Sequence, residues 1–166
     1  MIVEVNTTEF LKSFQEYMKV VERKLNHVAR GFSYQIAQTA MNHTPLGDAR
    51  QSKDMMAQYL RRQNTTGLNP QEGFARGSWQ VKKNTNFTIQ EFYGVSSGSQ
   101  ALTVVSTELE SMTIKDDFYI GNRGYYIKAL EGNWSKQTNG LGIKKPTLDT
   151  VLAAYSISIK QLYNEG

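Results

Sequence analysis

Apolar residues recur at steps of four and three over the first quarter of the chain: Phe10, Phe14, Tyr17, Val21, Leu25, Val28, Phe32, Ile36 and Ala40. That spacing keeps them on one side of an α-helix. It predicts a helix of about 30 residues, roughly 45 Å long at about 1.5 Å per residue. Thr7 or Thr8 offers an N-cap, and Glu9 puts a carboxylate in the first turn, where the helix dipole favours it. Gly31 costs about 1 kcal/mol inside the run and marks a bend or a close approach. Pro45 and Gly47 end the helix. A rod of this length has two natural uses. It is the central helix of an ordinary core, or it is the strut of an elongated subunit that packs beside copies of itself.

The remaining pattern is shorter in range. Residues 2–5 fit a first edge strand. Asp48 can cap a second helix, with Met55, Met56, Tyr59 and Leu60 on one side of residues 49–62, and residues 64–73 carry turn signals throughout. Residues 49–73 therefore form an excursion between two core elements. Residues 79–83 and 87–92 read as strands joined by a tight hairpin connection. After the Gly/Ser break at 94–99, Leu102, Val105, Leu109 and Met112 recur at helical spacing. Residues 117–121 read as a third strand, 122–124 as a turn, 125–130 as a short helix and 132–142 as a loop. A last helix starts at Pro146 or Thr147, with Leu148, Val151, Leu152, Tyr155, Ile159 and Leu162 on one face. The sum is one α+β domain over residues 1–166, with a long N-terminal helix and a C-terminal helix packed on a small antiparallel sheet.

Composition narrows the chemistry. The chain has 166 residues and no cysteine, so disulfides and thiolate catalysis are excluded. The net charge of +4 permits contact with DNA or an acidic partner without requiring either. No run reaches the roughly 18 apolar residues of a membrane span, and MIVEVNTTEF does not read as a secretory signal. Gly94-Val95-Ser96-Ser97-Gly98 matches the nucleophile elbow G-x-S-x-G. That mechanism wants a histidine later in the chain, and both His27 and His43 precede Ser96. The two histidines make no zinc spacing, and Asp116 and Asp117, adjacent on a strand, would point to opposite faces. The expectation is a protein that is not an enzyme and that needs no cofactor and no metal.

The excursion is the candidate for partner contact. Arg50, Arg61 and Arg62 give it charge, Met55 and Met56 suit adaptable packing, and Tyr59 adds an aromatic. None of these is needed to complete the sheet.

Several segments also resemble, in order, the motif series of the neck, or tail-completion, proteins of tailed bacteriophages. Thr44-Pro45-Leu46-Gly47-Asp48 is followed by Ala75-Arg76-Gly77-Ser78-Trp79-Gln80. Phe118-Tyr119-Ile120-Gly121-Asn122 then leads to Tyr125-Tyr126-Ile127-Lys128-Ala129-Leu130-Glu131. Trp134-Ser135-Lys136-Gln137 and residues 140–143 with Thr147 complete the series, which covers about residues 8–160. Ser78 stands where the family has asparagine, Asn133 where a glycine is usual, and the proline of a later loop is missing. Within the motif, Trp79 is expected to anchor the sheet on the long helix, and Arg76 to pair with Glu131. Tyr126 lies in the short helix, and Trp134, Ser135 and Gln137 belong to the following loop, where the serine and glutamine can bond backbone. Such residues either maintain the fold or touch a partner.

The resemblance implies a homo-oligomeric ring of six or twelve copies at the head–tail junction of the virion, assembled in the host bacterial cytoplasm. Its partners would be the portal or adaptor on one side and the tail tube or terminator on the other. Genome DNA would pass through the lumen without sequence-specific binding, and no membrane is involved. The alternatives are the tail terminator ring of the same particle and a DNA-binding module.

Overall fold

The computed structural model describes residues 7–47, 72–124, 127–132 and 141–164. Along them run α1 (Thr7–His43), a single turn α2 (Phe74–Gly77), β1 (Trp79–Lys82), α3 (Ser97–Glu110), β2 (Tyr119–Asn122), a short α4 (Ile127–Glu131) and α5 (Lys144–Asn164). The architecture is α+β, with the expected long N-terminal helix, the C-terminal helix and a small antiparallel sheet. The strand expected over residues 2–5 and the helix expected over 49–62 lie outside the described residues.

Helix α1 has 37 residues, longer than the apolar run alone suggests. It closes on Thr44, whose backbone N–H and side-chain hydroxyl both donate to the Ala40 carbonyl, at 3.0 and 2.7 Å. Pro45 disfavours helical geometry at the residue before it, so the helix stops there. The core forms on one side of the C-terminal half of α1. Ser33, Ala37, Ala40 and Met41 are its buried residues. Ala37, Ala40 and Met41 pack with Ala101, Val105 and Leu109 of α3, with Trp79 and Val81 of β1, and with Met112, Leu130 and Ile143. Small side chains on α1 let α3 and the sheet come close.

That core-facing side shares only Ala40 with the apolar stripe. At 3.6 residues per turn, the centre of the stripe lies roughly 140° around the helix from the centre of the buried face. Of the two uses open to a long helix, the structure therefore departs from the ordinary core helix over most of α1.

The hairpin expected from 79–83 and 87–92 does not form. Strand β1 pairs instead with β2, antiparallel, with Trp79 opposite Asn122 and Gln80 opposite Gly121. Residues 87–92 carry no strand and cross the outer face of the pair. The physical reason is side-chain competition for their carbonyls. The Gln80 amide donates to the Thr88 carbonyl, and Ser78 Oγ donates to the Gln90 carbonyl at 3.3 Å. Gly121 makes room for the crossing, since a Cβ there would sit 2.5 Å from the Phe87 ring. Trp79 and Val81 point the other way, into the core.

Helix α5 runs antiparallel to α1. The Phe32 and Tyr155 rings meet edge to face with centroids 4.4 Å apart, and His43 Nδ1 lies 3.3 Å from Thr147 Oγ1. The helix starts at Lys144, before the expected Pro146 or Thr147, because Glu131 caps it from a distance. Glu131 Oε1 accepts the N–H groups of Ile143 and Lys144 at 3.2 and 2.8 Å. Such bonds satisfy donors that the first helical turn leaves unpaired. Ile143, Thr147 and Val151 face inward. Leu148 and Leu152, expected on one face with Val151, are exposed.

One node joins α1 to the sheet. Trp79 Nε1 donates to Thr44 Oγ1 at 2.8 Å, with both residues buried. Thr44→Val would leave the indole N–H without an acceptor, and Trp79→Phe would remove that donor. A double-mutant cycle by urea unfolding should show about 1–2 kcal/mol of coupling between the two sites. Strict additivity would mean that the bond contributes nothing.

Candidate interaction surfaces

Every residue from Thr7 to Val20 is exposed. These first four turns of α1, about 21 Å of helix, carry the largest apolar side chains of the stripe. Phe10 is 63% exposed, Phe14 51% and Tyr17 64%. Farther along, Leu25 and Val28 remain exposed, and cover begins only near Phe32, where Tyr155 of α5 lies against the stripe. Taking about 150–250 Å² for an aromatic side chain, the open part of the stripe presents on the order of 600 Å². A short helix is held mainly by what its apolar face packs against. The free end of α1 lacks such packing among the described residues.

The polar flank of the same helix is occupied. The turn after α3 docks there: Asn26 Oδ1 accepts the Ile114 N–H at 2.7 Å, Arg30 Nε donates to the Met112 carbonyl at 2.8 Å, and Lys115 pairs with Glu22 at 2.9 Å. An open groove lined by Lys19, Glu22, Arg23, Asn26, His27 and Arg30 runs along this flank. Asp116 holds the turn in shape. Its carboxylate accepts the Thr113 N–H at 2.8 Å and the Thr113 hydroxyl at 3.2 Å, and it pairs with Lys83 at 3.1 Å. Lys83 also donates to the Ser111 carbonyl, and Lys82 pairs with Glu108, so the end of β1 is fastened to the end of α3.

The segments that carry the motif resemblance are tied to one another. Arg76 Nε donates to the Thr44 carbonyl at 3.0 Å, Trp79 to the Thr44 hydroxyl, and Asn122 Nδ2 to the Ala75 carbonyl at 2.7 Å. The expected pair of Arg76 with Glu131 is not made. Arg76 closes the base of the excursion onto the end of α1, and Glu131 turns instead to the start of α5. Trp79 makes the bond to Thr44 described above. Tyr126, Trp134, Ser135 and Gln137 lie outside the described residues. So do the partner-contact candidates Arg50, Met55, Met56, Tyr59, Arg61 and Arg62. The two ends of their excursion meet where the Gly73 N–H donates to the Leu46 carbonyl at 2.7 Å.

Sequence reading missed Thr44 and Asn122 as nodes. The signal available was weak: a threonine before a proline, and an asparagine before a turn. Ser96, the serine of the G-x-S-x-G run, precedes α3 on an exposed turn with no strand before it, so the strand–turn–helix elbow is not built. His27 lines the polar flank of α1, and His43 faces Thr147. Among the described residues, no group of three or more His, Cys, Asp or Glu side chains is placed to hold a metal ion. No described helix is long and apolar enough to cross a membrane.

The bonds to Asp116, first the Thr113 N–H and then Lys83, hold its carboxyl below the ordinary value of 3.8. The folded state therefore favours the charged form. Its contribution is present above that ordinary value and is lost as pH falls through the lowered one. Asp116→Asn should be less stable than the parent at neutral pH, and the gap should close under acid. Thermal melts of the two proteins across that range would show it; a gap that widens with acid would contradict it.

Comparison of the chain with protein-family models, with curated proteins and with solved structures finds no match.

Proposed function

We propose that this chain is a structural subunit of a tailed bacteriophage, forming a ring of six or twelve copies that joins head to tail. The observation that carries the reading is the apolar stripe of α1, whose N-terminal part is left exposed among the described residues. On the order of 600 Å² of contiguous apolar surface is at the upper end of what a monomer commonly exposes. A subunit repeated around an axis can bury such a face against its neighbour. The motif series at residues 44–48, 75–80, 118–131 and 134–147 supplies the particle. Its described members hold the fold together, as they would in a stiff ring subunit.

The work of such a ring is mechanical. One face meets the portal or adaptor and the other meets the tail tube or terminator, so no chemical step, cofactor or metal is needed. Duplex DNA carries one charge per about 1.7 Å and would be retained by a strongly basic lumen. Lysines and arginines are accordingly assigned to outer and partner-facing surfaces. The excursion over 49–73, with Arg50, Met55, Met56, Tyr59, Arg61 and Arg62, is the candidate for contact with a neighbouring ring. A tail terminator ring makes the same demands on the subunit and is the alternative in the same particle.

Deleting residues 49–71 keeps the Leu46–Gly73 closure and should leave a folded chain. Phage carrying the deletion should accumulate filled heads and free tails, seen by electron microscopy, and antibody against the intact chain should label the junction of complete particles. Loss of folding on deletion would remove the excursion from the reading. Absence of the chain from purified virions would sink the function itself.

A further inference from the structure

The stripe has a finer regularity than its amphipathic spacing. Its apolar members Phe10, Phe14, Tyr17; Val21, Leu25, Val28; and Phe32, Ile36 step 4-3-4, and the same spacing continues through the polar Thr39 to His43. This is an eleven-residue repeat, about 3.67 residues per turn, which suits a nearly straight or slightly right-handed contact between helices rather than a left-handed coiled coil. The third repeat already has a helix on it. Helix α5 lies antiparallel along it, from Thr147 beside His43 to Tyr155 against Phe32. The first two repeats have the same spacing and, apart from the half-buried Val21, are exposed among the described residues.

We propose that in the free protein these two repeats are covered by the same two repeats of a second copy, laid antiparallel. Volume selects this occupant. The first repeat is aromatic and bulky, and the second is aliphatic and smaller. Antiparallel pairing centred near residue 19 sets Phe10 on Val28, Phe14 on Leu25 and Tyr17 on Val21. Each layer then joins a large residue to a small one, as close packing requires. Parallel pairing would crowd three aromatic layers and leave the aliphatic ones underfilled. The flanks agree. Antiparallel helices bring like flanks together, so Glu22 comes beside Gln15 and Lys24 beside Ser13, and no like charges meet. Two faces of on the order of 600 Å² together reach about 1,200 Å², the lower end of stable specific interfaces.

Such a pair is isologous and closed, and it cannot propagate into a ring. It is therefore the state of the unassembled subunit, and ring formation must exchange it for contacts between neighbours. The inference rests on the stripe and stands apart from the head–tail reading.

The chain has no cysteine, so introduced thiols are unambiguous. The purified full chain at micromolar concentration should sediment at twice its 18.8 kDa mass. Phe14→Glu combined with Leu25→Glu, both at exposed positions, should halve that mass. Under mild oxidation, a mixture of Phe10→Cys and Val28→Cys chains should cross-link to each other, and Phe10→Cys chains alone should not. Should the double variant misfold, the cysteine pair still decides the matter. A monomer mass for the parent overturns the proposal, as does ready self-linkage of Phe10→Cys. A mass of six or twelve chains also overturns it while leaving the ring reading intact; a dimer absent from virions would do the reverse.

Discussion

A helix takes most of its stability from the surface its apolar side is laid against, and α1 is fastened by a face that holds few of its large residues. Ser33, Ala37, Ala40 and Met41 enter the core, and the turn after α3 grips the polar flank through Asn26, Arg30 and Glu22. The phenylalanines, Tyr17, Leu25 and Val28 lie elsewhere on the circumference. These requirements divide the helix. Small residues allow close approach where the chain folds on itself, and bulky ones lie where the described residues leave the helix exposed. Among the described residues the core is built without the large side chains of the stripe, and Phe10, Phe14, Tyr17, Leu25 and Val28 stay exposed.

The body that holds the rod is built around a few polar contacts in a tightly packed region. Thr44 donates to Ala40, accepts the indole N–H of Trp79 on its hydroxyl and accepts Arg76 on its carbonyl. Removing any one partner leaves a polar group without its bond near the core, which costs more than the bond contributes when made. Glu131 plays the matching part at the other end of the body, capping α5 from α4. Both nodes sit where the chain enters or leaves a long segment, so they fix the direction of each helix relative to the sheet.

Much of this was legible in the sequence where the signal is local and periodic. The 4-3 spacing gave α1, and the spacing of Val105, Leu109 and Met112 gave α3. Strand pairing was less so. Residues 87–92 have a strand-like composition, but the side chains of Ser78 and Gln80 take their carbonyls, and Gly121 opens the face they cross. Such competition depends on residues about ten to forty positions away, and no local window reports it. The orientation of amphipathic helices was legible only in part. Periodicity locates an apolar face without saying what covers it, and so Leu148 and Leu152 read as one face with Val151, while the structure buries Val151 with Thr147 and leaves the two leucines exposed. The Arg76–Glu131 pair failed for a related reason. Opposite charge marks two residues as compatible, but backbone groups at helix ends compete for the same side chains, and here they win.

The division of α1 also fixes how a contact on its free end could reach the body. A load on Phe10 or Phe14 passes along a helix that is unsupported, among the described residues, as far as Glu22. There it meets the Lys115 pair and then the Asn26 and Arg30 bonds, and two residues past Arg30 the Phe32–Tyr155 contact with α5. The first group leads through Met112, Thr113 and Asp116 to Lys83 at the end of β1, and the second leads through α5 to the Glu131 cap. Both routes end on the elements that carry the motif segments. A surface that engages the stripe is thus mechanically joined to the part of the chain that the excursion springs from, through hydrogen bonds, ion pairs and one aromatic contact. A rod held at one end by small residues can tilt only as far as those contacts allow. Any neighbour bound to the stripe therefore meets a body set in a defined direction.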